Sequence, residues 1–295
     1  MHSISITTFY LFTPLPKEEI ARLEKRFHRF ARWHRMRGLV ILAPEGINGT
    51  VAGSHFAIAR FKKLLTQEVG EMLCKDSFAP EKPFTRWSIK IRKEIVSLKN
   101  ASILPESDEN YHLSPEEWHR TMQEEDVVLL DTRNSYETEI GMFKNAVDPK
   151  LKHFQFFPDF VRKSNISKDK KVLMYCTGGI RCEKALIEMQ SQGYKHVYQL
   201  KGGILQYLKE FPNGFFKGEC FVFDHRTSVD KNLQPSQLYT LCPHCGDPGK
   251  ERIECRHCRM KAVVCEKCLV NEWKETCSKN CAHVIERTSL RALLY

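Results

Sequence analysis

Val172-Leu173-Met174-Tyr175-Cys176-Thr177-Gly178-Gly179-Ile180-Arg181-Cys182-Glu183-Lys184-Ala185 decides the architecture at the centre of this 295-residue chain. Its first four residues are an unbroken apolar run, as expected of a strand buried on both faces of a parallel sheet. From Ile180 the pattern turns helical. Cys176 therefore falls between the carboxyl end of a strand and the start of a helix, where α/β sheets place their sites. Gly178 and Gly179 let the backbone turn its N–H groups inward, the helix adds its positive end, and Arg181 adds a fixed cation, with Thr177 in the same loop. Such a cradle lowers a thiol from its usual pKa of about 8.5. It also suits a persulfide, a sulfenate or an oxyanion transition state. An inert cysteine needs none of these three features. Cys182 packs into the first helical turn or serves as a resolving thiol.

Outward from this loop, Val127 to Leu130 and Val197 to Leu200 are further apolar strands separated by helical patterns. Ser114-Pro115-Glu116-Glu117 is a helix start, with a capping side chain, a first-turn proline and acids at the positive end. Residues 113–215 thus form a doubly wound α/β domain with a parallel sheet. Asp131 at a strand end is expected to orient the loop by accepting backbone N–H bonds. Arg133 pairs with Glu137 or Glu139, or binds a phosphate.

Upstream, residues 1–100 run strand (Ser3 to Leu11), helix (Lys17 to Trp33), two strands (Gly38 to Leu42 and Gly46 to Ala52), a helix from Ser54 and a last strand (Arg86 to Leu98). That is a ferredoxin-like order. Residues 101–112, with Pro105, Ser107 and Asp108, read as a linker. On the first helix Ile20, Leu23, Phe27, Phe30 and Ala31 share one face, whereas Arg22, Lys25, Arg26, Arg29 and Arg32 cover the other. The chain carries a net charge of +10. A one-sided basic face gains affinity for nucleic acid by releasing counterions, so phosphate contact through Arg22, Arg26 and Arg29 is weighed above a merely solvated face. Phe154, Phe156, Phe157 and Phe160 read as core rather than as stacking platforms for a base.

No stretch approaches the roughly 20 apolar residues of a membrane span, and no basic leader precedes the first strand. The expected compartment is the cytoplasm, where grouped cysteines mean metal or catalysis. Eight of the 12 cysteines lie between Cys242 and Cys281. They form pairs, Cys242/Cys245, Cys255/Cys258, Cys265/Cys268 and Cys277/Cys281, whose short spacing supplies two structural zinc sites of four thiolates each within a cysteine-rich module, residues 216–295. An iron–sulfur cluster is the competing use. His244, His257 and His283 are alternative ligands, and spacing does not say which pairs share an ion.

Asp131-Thr132-Arg133, the run Tyr136 to Ala146, and a loop with four residues between Cys176 and Arg181 together resemble a rhodanese domain. Met142 stands where rhodaneses often have a histidine. Met174 to Ala185, with Ala43-Pro44-Glu45-Gly46-Ile47-Asn48-Gly49-Thr50 and Gly218-Glu219-Cys220-Phe221-Val222-Phe223-Asp224, resembles the oxygen-dependent tRNA uridine hydroxylases of the rhodanese superfamily over nearly the whole chain. The resemblance implies tRNA as substrate, dioxygen as co-substrate, hydroxylation at carbon 5 of the wobble uridine, an essential cysteine at Cys176 and a substrate contact at Asn48. No haem, flavin or mononuclear iron motif stands out, so the sequence does not name the electron donor; a sulfur species on Cys176 is the expected intermediary. Two other functions share parts of this pattern. A sulfurtransferase or persulfide carrier needs the loop but not the basic helix or tail, and a zinc-dependent RNA-binding scaffold needs no reactive Cys176.

Overall fold

A computed structural model describes residues 4–99, 103–105, 109–124 and 126–292, so much of the expected linker lies outside the described residues. The chain divides into two compact units: Met1–Asp224 with Val229–Gln234, and His225–Ser228 with Pro235–Tyr295.

The first unit begins with β1 (Ile4–Phe12), α1 (Lys17–Trp33), β2 (Arg37–Ala43), β3 (Gly46–Gly53), α2 (His55–Glu68), β4 (Lys75–Ala79) and β5 (Trp87–Ile91). Helix α1 forms because Ile20, Leu23, Phe27 and Ala31 recur at helical spacing and are all buried, while Glu18 and Glu19 favour its positive end. Helix α2 is capped by Ser54, whose side chain accepts from the Ala57 N–H. Both helices cover one face of the sheet, packing Leu23, Phe27, Phe61 and Leu65 against Phe9, Val40, Ile47 and Val51. The strand order is β4-β1-β3-β2-β5.

The first four strands of that order make the ferredoxin-like sheet, but the closing strand is not the one expected. It is β4, at the edge beside β1, and the expected strand at Arg86 to Leu98 shortens to β5, added in parallel beside β2. Lys75-Asp76-Ser77-Phe78-Ala79 lacks a clean apolar alternation, which hides it from a periodicity search. Because β1 places Phe9 toward the helices, Thr8 and Tyr10 point to the opposite face. Thr8 stands between Lys75 of β4 and Thr50 of β3, and Tyr10 stands beside Asn48.

The second sheet has the order β6-β10-β9-β7, all parallel, from β6 (His112–Leu113), β7 (Val128–Asp131), β9 (Lys171–Tyr175) and β10 (His196–Leu200). Helix α3 (Pro115–Glu124) follows β6, with Ser114 and Glu117 each accepting the other's backbone N–H. His112, read from sequence as the end of the linker, opens β6. Between β7 and β9 come α4 (Ser135–Thr138), β8 (Gly141–Phe143) and α5 (Phe157–Lys163); α6 (Ile180–Ser191) precedes β10, and α7 (Gly203–Glu210) follows it. Alternate residues of the strands enter two cores. Leu129, Leu173, Tyr175 and Leu200 meet Trp118 of α3 and Leu208 of α7, while Leu130, Val172, Met174 and Val197 meet Val161 of α5 and Met189 of α6. Phe154 and Phe157 belong to this second core.

In the second unit, strands Glu251–Glu254 and Lys261–Val264 form a hairpin, and a helix spans Lys279–Ala292. Its small core is Cys242, Val264, Cys265 and Cys268. No helix among the described residues is long and apolar enough to cross a membrane.

Within the first unit, a buried ion cluster joins α6 to the first sheet. Lys184 Nζ lies 2.8 Å from Glu45 Oε2 and 3.0 Å from Glu94 Oε2. The same carboxylates accept the backbone N–H groups of Ile95 and Leu98 at 2.6 and 2.7 Å. Replacing Lys184 with Met leaves two buried carboxylates without their cation, so K184M is expected to lose about 3–5 kcal/mol in urea unfolding. An unchanged midpoint would show that the cluster holds nothing.

Candidate active site

Strand β9 ends at Tyr175 and delivers Cys176 into a loop that closes at once into α6. Cys176 is fully buried. The Gly179 N–H donates to its Sγ at 3.0 Å. Gly179 is the N-cap of α6 at φ +101°, a conformation that L side chains rarely adopt, and a Cβ there would stand 2.8 Å from the Tyr10 hydroxyl. The back of the loop is held by α7. Its Ile204 and Leu205 N–H groups donate to the carbonyls of Cys176 and Thr177 at 3.0 and 3.1 Å. Gly203 permits this approach, because a Cβ there would lie 2.6 Å from the Cys176 carbonyl oxygen.

Burial pushes the Cys176 thiol up, yet the hydrogen bond from Cys182, the charge of Arg181 and the Arg181 and Gly178 N–H groups outweigh it and bring the thiol down to about 5. Cys182 stays protonated, its thiol pushed well up by burial and by the charge on Cys176, and lies 3.6 Å from Thr132 Oγ1. A neutral donor beside a charged acceptor is the arrangement that favours the thiolate.

Arg181 is held by a residue the sequence reading assigned elsewhere. Glu137 accepts from both terminal guanidinium nitrogens, at 2.6 and 2.7 Å, with both side chains buried. Burial pushes the Glu137 carboxyl up, but Arg181 and Arg133 hold it below the usual range. Glu137 Oε1 also accepts from Thr177 at 3.3 Å. Its signature in the sequence is the capping box at the start of α4, Asn134 with Glu137 three residues on.

Arg133 is wholly buried and pairs with Asp131 rather than with Glu137 or Glu139. It donates to Asp131 at 2.6–3.1 Å and to the Gly141 carbonyl at 2.5 Å. With these donors engaged, the guanidinium does not face a phosphate. Asp131 accepts one backbone N–H, that of Arg133 itself. Met142 lies in β8, paired with Lys217 of the adjacent strand Phe216–Gly218.

The first sheet meets this loop through Tyr10, whose hydroxyl donates to Glu183 Oε1 at 2.8 Å. His112 and Gln199 also contact the Glu183 carboxylate, at 3.2 and 2.8 Å. Tyr10, His112, Glu183 and Lys201 line a cavity of about 220 Å³. Among the basic residues expected to meet phosphate, Arg22 is paired with Glu19 and Glu68 and Arg26 with Glu68, all at 2.6 Å. Arg29 instead lines a groove of about 810 Å³ with Arg32, Arg35, Arg37 and Arg86. Asn48 donates to the Ile95 carbonyl at 3.1 Å.

The cysteine pairs interleave. Cys242, Cys245, Cys265 and Cys268 form one group and Cys255, Cys258, Cys277 and Cys281 the other, the sulfurs of each lying within 4.8 Å of one another. The hairpin explains the pairing: Cys255 and Cys258 sit in its turn, whereas Cys265 follows its second strand at the opposite end. Sγ separations include 3.5 Å (Cys245–Cys265 and Cys258–Cys277) and 3.8 Å (Cys258–Cys281). Four thiolates bound at about 2.3 Å to one tetrahedral ion stand roughly 3.8 Å apart, so each group fits one ion of its own. A cluster would spread its thiolates farther, with several irons and inorganic sulfur between them. Neither group includes His244, His257 or His283.

A buried thiolate makes a prediction that needs no substrate. Alkylation of Cys176 by iodoacetamide, read by mass spectrometry, should be flat above about pH 6 and fall below pH 5, because the reactive form is lost as pH drops through the lowered pKa. Arg181→Gln should move the midpoint upward by about one unit or more. A wild-type midpoint near 8.5 would sink the thiolate assignment.

Comparison with known proteins agrees with this geometry. The chain matches the "UPF0176 acylphosphatase like domain" over residues 4–95, the "Rhodanese-like domain" over 114–210 and the "Rhodanase C-terminal" over 217–282. It is 45% identical to the tRNA uridine(34) hydroxylase of Bdellovibrio bacteriovorus, covering 97% of this chain and 83% of that protein. Proteins of the same name from Synechocystis sp. and Legionella pneumophila are 41% and 42% identical, over 86% and 82% of this chain and 94% and 96% of theirs. With acylphosphatase-like, rhodanese-like and C-terminal regions in one order, and this identity along nearly its whole length, the chain belongs to the tRNA uridine(34) hydroxylase family.

Proposed function

We propose that this protein hydroxylates carbon 5 of the wobble uridine of tRNA, with dioxygen as co-substrate and Cys176 as the working nucleophile. The observation that carries the reading is a buried sulfur that accepts the Gly179 N–H, with Cys182, Arg181 and the loop N–H groups favouring its thiolate, in a chain that matches a member of this family over 97% of its length. Gly178, Gly179 and Thr177 shape the cradle, Arg181, held by Glu137, supplies its positive charge, and Asp131 with Arg133 braces the neighbouring strand end. Water is excluded from Cys176, which strengthens each of these electrostatic contacts. We assign residues 1–100 to gripping RNA, 113–215 to the chemistry and 216–295 to a C-terminal region whose cysteine-bearing part, from Pro235 on, is held by metal, with 101–112 as the connection, and we place the enzyme in the cytoplasm.

The groove lined by Arg29, Arg32, Arg35, Arg37 and Arg86 is the better surface for phosphate than Arg22 and Arg26, whose charges are already paired with Glu19 and Glu68. Both cysteine groups suit zinc, which holds small modules together when apolar burial is scant. Elemental analysis should find two zinc ions per chain, and Cys245→Ser and Cys258→Ser should each remove one. Iron with acid-labile sulfide in the same assay would replace this reading.

The activity is tested by mass spectrometry of nucleosides from total tRNA in cells lacking the gene. Wild type should restore 5-hydroxyuridine-derived wobble nucleosides, and Cys176→Ala should leave them at background. A profile unchanged by the deletion, in cells without a redundant pathway, would favour sulfur transfer or an RNA scaffold.

A further inference from the structure

Strand β4, hidden from the sequence reading, brings one side chain to the Cys176 loop that nothing above accounts for. Lys75 opens this strand opposite Thr8 and is only 6% exposed. Its Nζ has no hydrogen-bond partner. The other buried cations of the first unit, among the described residues, each face a carboxylate: Arg133 faces Asp131, Arg181 faces Glu137, and Lys184 faces Glu45 and Glu94. An unpaired buried ammonium is strongly disfavoured, so a unit that pairs its other described buried cations and leaves this one without a hydrogen-bond acceptor favours an acceptor from outside.

The position of Lys75 says which acceptor. Its ammonium lies 4.7 Å from the centre of the Tyr10 ring, and the Tyr10 hydroxyl donates to Glu183 and occupies the space a Cβ on Gly179 would need. The groups around it are Tyr10 from β1, Cys74 beside it on its own segment, Cys176 from the loop and Glu183 from α6. Burial brings its ammonium down to about 8, and negative charge on Cys176 is the largest influence opposing that shift. Lys75 therefore lies on the face of the first sheet that carries Tyr10 to the loop, within reach of the charge on Cys176, while the cradle holds the sulfur from the second.

We propose that Lys75 is a substrate-contacting residue of the Cys176 site, its ammonium taking a carbonyl oxygen of the uracil ring presented to the sulfur. The uracil identity of the acceptor rests on the reading under the preceding heading; the placement of the cation does not. An ammonium there orients the base and favours any negative charge that builds on its oxygen. Tyr10 supports it by offering the face of its ring.

Two small alkylating reagents that differ only in charge test this without the natural reaction. In wild type at pH 7, Cys176 should show a preference for iodoacetate over iodoacetamide, normalised to a free thiol, about tenfold greater than in Lys75→Met. Lys75→Arg should retain it. The wild-type preference should fade as pH rises past about 8, where the ammonium loses its proton, and the Arg variant should not show that fading. Because K75M removes an unpartnered buried charge, its melting temperature should equal or exceed that of wild type. With an anticodon stem-loop, K75M should raise KM and lower kcat/KM, and K75R should recover part of the loss. Equal slowing with both reagents would mean that Lys75 acts on the thiolate alone, and an unchanged preference or a lowered melting temperature would make it structural; any of these overturns the proposal. A charge preference that behaves as described, in a wild-type protein that leaves the stem-loop unmodified, would retain the Lys75 site and reject the hydroxylase reading instead.

Discussion

A negatively charged sulfur closed off from water is the constraint on which the rest of the first unit depends. Burying a lone charge is costly by several kcal/mol, and it persists only where donors and cations are already in place. Here they come from three directions: the Gly179 N–H and the end of α6, the neutral Cys182 thiol, and the Arg181 guanidinium. Each has its own support. The left-handed Gly179 aims the N–H, burial keeps Cys182 protonated, and Glu137 holds Arg181 by two hydrogen bonds. Behind them, Arg133 and Asp131 close a second buried pair at the end of β7. The site is therefore a set of nested charge pairs, not a loop acting alone.

The first sheet completes this enclosure. Its helix-free face supplies Tyr10 to Glu183 and Gly179, and the Glu45–Lys184–Glu94 cluster clamps the same sheet to α6. A ferredoxin-like sheet needs helices on one face only, so the other face is available to seat a second layer. The sheet thus serves two ends at once. Its helix side carries the arginines of α1, and its open side lies against the nucleophile's loop.

The arginines are also sorted by their surroundings. Glu68 at the end of α2 neutralises Arg22 and Arg26, whereas one turn farther along α1 no acid among the described residues pairs with Arg29 or Arg32, which open onto a groove with Arg86. The cysteine module follows a similar logic of placement. A short hairpin separates two pairs of thiols that are neighbours in sequence and joins each to a pair more distant along the chain.

Local pattern alone determined a good deal. The apolar run before Cys176, the glycines after it and the helical repeat beyond located the parallel sheet and its nucleophile, because burial on two faces and a tight turn leave direct marks in sequence. The span of α1 and the paired cysteine spacings were legible for the same reason. Partners across the fold were not: Glu137 for Arg181, Glu68 for Arg22, and the interleaving of the thiols. These depend on which elements lie side by side, and short-range periodicity carries no record of that. Strand β4 combined both difficulties, since an edge strand with polar residues has a weak pattern and Lys75 acquires meaning only when the sheet carries it to Cys176. The chemistry available at a residue follows from its own side chain, but the charge it bears and the group it faces are set by distant segments, which only the tertiary structure brings within reach.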